Sequence, residues 1–597
     1  MEESIPFQKW MFPRLISFCV LFALGLIGLL GCGKGPSTKS LQATRSVDDP
    51  WQKALSALRK ETDADSCHRI LLDLNSDLTK APNAPQPAAT KPEDLAAATA
   101  DYGLNEAEAK EISSSTYTAL DAAYLAEVIY LRDVAVGLEV ASLPPAKRAA
   151  AAFEWVCRQV VLGEPKPGFP RLPPLSPTYV LRRGSGSGLE RAYVFVELCR
   201  QLNLDAYFVG PPEAKAEPAY RNGEAWHGPF WAVAVRVGQR VVLYDPWAGE
   251  ALPFDLEQLR SQADPFAAKF AEWSKTLGVM PEAFRKAELF LALPLSSSAS
   301  RWKILDEKLE NERGAKLASN RETLLKNAAN AAKGAPVGFW NAGGNPYSLT
   351  RTLAYTLCEL EGGFAPNHPS GNSALAVQYR VELIPGGQLF PLPDGIEFQE
   401  PKDRVRAQSL GRYIQSFLTS PMPRERFQRG QFNEATRGLV KEWEEYTRMT
   451  ERSRSEPARQ KSIADWIERA NKIYAELNGA VNPAQRNAAE NRVQQFWKSD
   501  TKGLELLSEQ SLGPVGTGEA IYLLALCKQE FAERHSGPEA KDPAALSQDA
   551  REAWIVAHDW WKRYKDFAAA QNLNSPGREA HAAKLANRAE QMAGASR

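Results

Sequence analysis

Apolar residues recur at three- and four-residue spacing over most of this 597-residue chain, and short apolar or alternating runs replace that spacing only in places. "WQKALSALRK" from Trp51 and "CHRILLDLNSDL" from Cys67 carry the helical period, as do the stretches that begin at Thr118 and Pro144. Pro144-Pro145 parts two predicted helices, because proline lacks an amide proton and clashes with the preceding turn. "AYFV", "WAVAVRV" and "RVVLYD" (Ala206 to Val209, Trp231 to Val237, Arg240 to Asp245) predict strands, the last two joined by a hairpin at Gly238-Gln239. Helices followed by strands over roughly Ala146 to Phe254 predict an α+β domain with a small antiparallel sheet, set in a mostly helical multi-domain chain.

Composition breaks divide the rest. Lys80 to Pro92 is a Pro/Ala linker and Gly163 to Pro177 a Pro-rich loop. A charged helical stretch follows Arg301, a further hairpin turns at Pro385-Gly386-Gly387, and almost everything after Arg404 has the helical period. The boundaries expected are a leader over 1–31, a tether over 32–50, a helical region over 51–145, the α+β domain over 146–255, a helical and hairpin region over 256–403, and a helical domain over 404–597. No fixed repeat period emerges in the last of these, although a helical-repeat adaptor is one reading of it. The cluster Trp554, Trp560, Trp561 and Tyr564 is expected to be helix packing rather than a ligand cage.

The helix expected from Ser187 to Leu202 is the central one. Ser187 and Glu190 form the S-x-x-E capping box, in which hydroxyl and carboxylate each satisfy a backbone amide of the first turn. Leu189, Ala192, Val196 and Cys199 lie on one stripe and Phe195, Leu198 and Leu202 on the next, so the helix is buried over much of its circumference. A thiol at the start of such a helix would meet unpaired amides and the positive end of the dipole, both of which favour the nucleophilic thiolate.

Charge narrows the function classes. Lys+Arg and Asp+Glu each number 72, for a formal net charge of +0, and no basic-aromatic cluster marks a nucleic-acid partner. The six His and seven Cys show no metal-ligand spacing and no C-x-x-C, so neither a metal nor another cofactor is expected. Lys9 and Arg14 precede an apolar run, Leu15 to Gly31, that ends in Leu29-Leu30-Gly31-Cys32. This ending resembles the lipobox of bacterial lipoproteins. The resemblance implies acylation of Cys32, for instance with palmitate, and a lipid-anchored protein of the cell envelope, facing the periplasm or on the outer membrane. Gly33 after the Cys gives no inner-membrane retention signal by that family's rule.

"LSPTYVLRRGSGSGLERAYVFVELCRQLNLDAYFV" and "FWAVAVRVGQRVVLYDPWAG", with the upstream "AAFEWVCRQVV", resemble the transglutaminase-like domain, a papain-like Cys-His-Asp fold. Gly186, Glu190 and Ala192 fit its motif over about Ala146 to Phe254. The family's Cys, however, falls on Gly188 and its His on Pro229, leaving only Asp245 of the three. A glycine offers no nucleophile, so the family's acyl transfer has no route here.

Substitutes are few. Ser187, His227 and Asp245 could form a serine triad in a peptidase or acyltransferase, but Ser187 has a capping role and points about 100° from position 188. Cys157 and Cys199 read as buried, inert thiols. An anion held at the glycine turn by Arg182 and Arg183 is a third alternative. Asp245 before Pro246 is also ordinary turn chemistry, able to hold backbone amides without any His. The leading expectation is a lipid-anchored pseudoenzyme that binds or scaffolds, with a vestigial groove lined by Glu190, Trp231, Tyr244 and Trp247 for a peptide or protein ligand.

Overall fold

Helices begin where the apolar spacing begins. The computed structural model describes residues 49–59, 63–162, 174, 176–212, 230–340, 421–499, 501–537, 540, 542–571, 573 and 576–594. Cys32 and its leader, His227, Pro229, Cys358 and the expected hairpin at Pro385 lie outside them. The first helices are α1 (Pro50–Leu58), α2 (Ala64–Lys80), α3 (Pro92–Tyr102), α4 (Glu106–Ser113), α5 (Ala119–Gly137) and α6 (Pro145–Gln159). α5 is apolar on nearly every face and is buried along most of its length. Pro145 starts α6 at the position where a missing amide proton costs nothing.

The α+β region follows as β1 (Val161–Leu162), α7 (Pro177–Arg183), β2 (Ser185–Gly186), α8 (Gly188–Gln201), β3 (Ala206–Gly210), β4 (Ala232–Val237), β5 (Arg240–Asp245), β6 (Glu250–Asp255), α9 (Leu256–Ser261) and α10 (Ala267–Leu277). Gly238, at φ +61°, makes the tight turn that pairs Val237 with Arg240. The sheet does not stop at 255. β7 (Glu288–Leu291) pairs antiparallel with β3, and β8 (Val337–Phe339), reached through α11 (Trp302–Arg313) and α12 (Arg321–Ala332), pairs parallel with β7. The strand order is β6-β5-β4-β3-β7-β8, so the sheet is mixed rather than purely antiparallel, and the boundary expected after 255 falls inside it. The cause is that β3 has two free edges: β4 takes one, and a segment from the middle of the chain takes the other.

The C-terminal helices are α13 (Pro421–Gln428), α14 (Phe432–Ser455), α15 (Pro457–Asn478), α16 (Pro483–Ser499), α17 (Thr501–Ser536), α18 (Gln548–Gln571) and α19 (Pro576–Ala593). Their unequal lengths make a bundle around α17 rather than stacked repeat pairs. Trp554, Trp561 and Tyr564 are buried in it, and Trp560 sets its edge against Trp443. One hydrophobic cluster runs from Trp51 to Trp340 and a second occupies the bundle, where it takes in Val161. From Pro50 onward the described residues belong to one compact unit. None of their helices is long and apolar enough to cross a membrane.

A buried ion pair ties the N-terminal helices to the middle of the chain. The Arg301 guanidinium donates to both oxygens of Asp121, at 2.7 and 3.0 Å, and to the carbonyls of Glu111 and Ser114 at 2.7 and 3.1 Å. Asp121 also accepts from the Thr118 amide at 2.9 Å, so one carboxylate caps α5 and anchors the arginine before α11. Both side chains are fully buried. Removing Asp121 leaves the buried Arg301 charge with only Glu111 Oε1, at 3.4 Å, as a carboxylate partner. Asp121→Ala is therefore expected to lower stability by about 3–5 kcal/mol, read from the urea midpoint. The paired replacement Asp121→Leu with Arg301→Met should recover most of that loss.

Candidate functional site

The start of α8 is built as its capping box requires. Ser187 Oγ accepts from the Glu190 amide at 3.1 Å, and Glu190 Oε2 accepts from the Ser187 amide at 2.8 Å. The hydroxyl is thereby turned to its own helix. Glu190 places a carboxylate on the donors an anion would need, and Arg182 is paired with Glu425 at 2.5 Å. The glycine turn is therefore not arranged for an anion; the side chain of Arg183 lies outside the described residues.

Gly188 is the first residue of α8, and the space beside it is filled. A Cβ built there would lie 2.6 Å from Trp247 Cε3 and closer still to Cδ2 and Cε2. The indole thus lies against the α-carbon where the family resemblance would place a thiol. No residue with a side chain fits at 188 unless Trp247 moves.

The loop after β5 sets the indole in that place. Asp245 Oδ1 accepts from the amides of Trp247 and Ala248 at 2.7 and 3.0 Å, and Oδ2 accepts from Trp273 Nε1 at 2.9 Å. Both carboxylate oxygens are committed and the residue is buried, the turn chemistry its Asp-Pro sequence allows. From α8, the buried Arg191 donates to the Pro246 carbonyl at 2.8 Å and, through Nε, to the Val160 carbonyl at 3.0 Å. It holds the β5 loop and the end of α6 against the same helix.

The other residues expected to line a groove are interior. Trp231 is 2% exposed and packs edge-on to Phe284; Tyr244, also 2% exposed, sits between Phe153 and Phe195. Glu190 is buried in its cap. Only Trp247 reaches partway to solvent. These four positions mark a closed layer between α8 and the sheet, not an open groove. The thiols of Cys157 and Cys199 are pushed up by burial, and that of Cys527 reaches about 12 for the same reason, so none is activated. Among the described residues no group of His, Cys, Asp or Glu is placed to hold a metal ion.

The C-terminal bundle docks beside this layer. Arg424 of α13 lies on Gly184, whose φ of +71° and lack of a side chain both permit the approach. Its guanidinium donates to the carbonyls of Leu181 and Gln159 at 2.7 and 2.6 Å. Arg158 forks onto Glu530 at 2.8 and 3.1 Å. A cavity of about 260 Å³ remains on this seam, bordered by Glu154, Arg158, Phe432, Glu533 and Arg534. Its paired charges are Arg158 with Glu530, Glu533 with Arg588 at 2.6 and 2.7 Å, and Arg534 with Glu139 at 3.5 Å. No nucleophile paired with a base faces it. Trp273, Arg191 and Arg424 carried no motif in the sequence; only the glycine at 188 signalled that something else fills the site.

No family model, curated protein or solved structure matches the chain.

Gly188→Cys is expected to fold with a lower melting temperature, the overpacking costing about 1–3 kcal/mol. In a Trp247→Ala background the same change should lose that penalty. A double-mutant cycle on thermal midpoints reads the coupling.

Proposed function

We propose that this chain is a non-catalytic scaffold of the bacterial cell envelope, tethered by lipid at Cys32. Its α+β core is a transglutaminase-like domain that has given up acyl transfer and serves as the seat of the C-terminal helical bundle. The order α6, α8, β3, β4, β5, with Asp245 closing β5, supports the likeness in fold, since it follows the order of that family's motifs. The loss of chemistry rests on one observation above the rest, the Trp247 indole lying against Gly188. Acyl transfer needs a nucleophile, a base and an open approach for the carbonyl. The first is absent at 188, and an indole takes the approach.

The alternative chemistry, with Ser187 as nucleophile, finds no support in the cap geometry. A hydroxyl that accepts from the Glu190 amide holds its lone pair along the helix axis. Scaffolding is favoured over peptide binding because Trp231 and Tyr244 are spent on packing within the core.

Two measurements test this reading. An acyl-directed electrophile, such as a fluorophosphonate, should leave the wild-type chain unlabelled, and Ser187→Ala should change nothing but stability, by about 1 kcal/mol for a lost cap. Labelling that disappears in Ser187→Ala would overturn the non-catalytic reading. For the anchor, Cys32→Ser should move the protein from the membrane to the soluble fraction and abolish incorporation of labelled palmitate.

A further inference from the structure

The joint between the last helix and the α+β core closes on a single imidazole. His581, in the second turn of α19, places Nε2 3.1 Å from the Cys157 carbonyl of α6 and Nδ1 2.9 Å from the Tyr522 hydroxyl of α17. A carbonyl can only accept, so Nε2 carries a proton; in the neutral ring Nδ1 then accepts from the phenol. The ring is neutral in this arrangement, and three helices meet on it.

The charged groups around it are one-sided. α19 itself contributes Arg578, α8 contributes Arg191 and α13 contributes Arg424. α17 brings the Tyr522 phenol and Glu519, whose carboxylate is taken by Arg578. α18 adds only the Tyr564 phenol. α6 adds the buried thiol of Cys157, with Glu154, Arg158 and, on α19, Lys584 acting on that thiol. The adjoining strand, Val161–Leu162, has no titratable group. Three guanidiniums therefore surround the imidazole; of the carboxylates, Glu519 is already paired, and Glu154 and, on α19, Glu579 act on the neighbouring thiol and on the Tyr564 phenol.

We propose that His581 is an acid-operated pin that releases α19 from the core. A proton taken from solvent onto Nδ1 turns the acceptor of the Tyr522 hydrogen bond into a second donor. It also sets a fourth positive charge among Arg191, Arg424 and Arg578. On the α+β side Gly577 also abuts the Leu162 carbonyl, and Val161 shares the hydrophobic cluster to which α19 contributes Ala582 and Leu585. Release uncovers Cys157 and the β1 edge, giving the chain an acid-exposed face. Burial holds the imidazole at about 4, below its ordinary 6.5, with the Cys157 carbonyl opposing that shift and the three guanidiniums adding to it. The unfastened state therefore binds the proton more readily. Docking is complete above about pH 6.5 and weakens progressively as pH falls toward 4. This inference stands apart from the proposed scaffold role, because it concerns a joint and not the site at Gly188.

Hydrogen exchange of the full chain, read by mass spectrometry and corrected for intrinsic rates, tests it. Between pH 6.5 and 4.5 the peptides of α19 should lose protection by about tenfold or more, while those of α5 keep theirs. His581→Gln, which offers an amide donor and acceptor but cannot charge, should flatten the α19 response. A protein titration followed at the His Cε1 proton gives a readout free of any variant, and one resonance should titrate well below 5.5. The proposal is overturned if α19 protection is independent of pH, if His581→Gln shows the wild-type loss, or if every histidine titrates above 6.

Discussion

The indole of Trp247 and the backbone of Gly188 can occupy their places only while residue 188 has no side chain. The surrounding structure follows from that constraint. Asp245 gives one oxygen to the amides that turn the chain toward Trp247, and the other to the indole nitrogen of Trp273. Arg191 draws the Pro246 carbonyl onto α8, and the same guanidinium reaches the end of α6. The space between α8 and the loop after β5 is packed like the rest of the interior, with the indoles of Trp247 and Trp273 in it.

The same region buries two arginines that donate to backbone carbonyls. Arg191 and Arg424 are each at least nine-tenths buried, and burial pulls both below the usual guanidinium range. Carbonyl partners satisfy the N–H groups without cancelling the charge, so the cost of removing each cation from water is only partly offset. What is gained is specificity of docking. Gln159, Leu181 and Val160 offer their carbonyls where α6 and α7 end, and a planar fork fits them in one orientation.

Features set by neighbours in sequence are legible from the sequence. The capping box at Ser187, the burial of α8, the Gly238 turn and the packed Trp554 and Trp561 depend on spacing within one or two turns of chain. Asp245 was legible in part, because Asp-Pro turn chemistry is local, whereas its bond to Trp273 is not. The addition of β7 and β8 to the free edge of β3, the entry of Arg424 beside Gly184 and the plugging of position 188 were not legible. Each joins segments that are remote in sequence, and periodicity carries no information about which remote segment arrives. The sequence marks Trp247 only as a groove residue, whereas its indole fills the space beside Gly188.

The contact between Arg424 and the α7–α8 turn also has a duration. Leu181 and Arg424 are 243 residues apart. At roughly 5–20 residues per second, a ribosome needs on the order of 10–50 s to supply the second after the first. For that interval the carbonyls of Leu181 and Gln159 and the glycine turn before α8 lack the Arg424 guanidinium. The nascent α+β core is thus a different object from the finished one: it has an open seam that its own C-terminal helices close last.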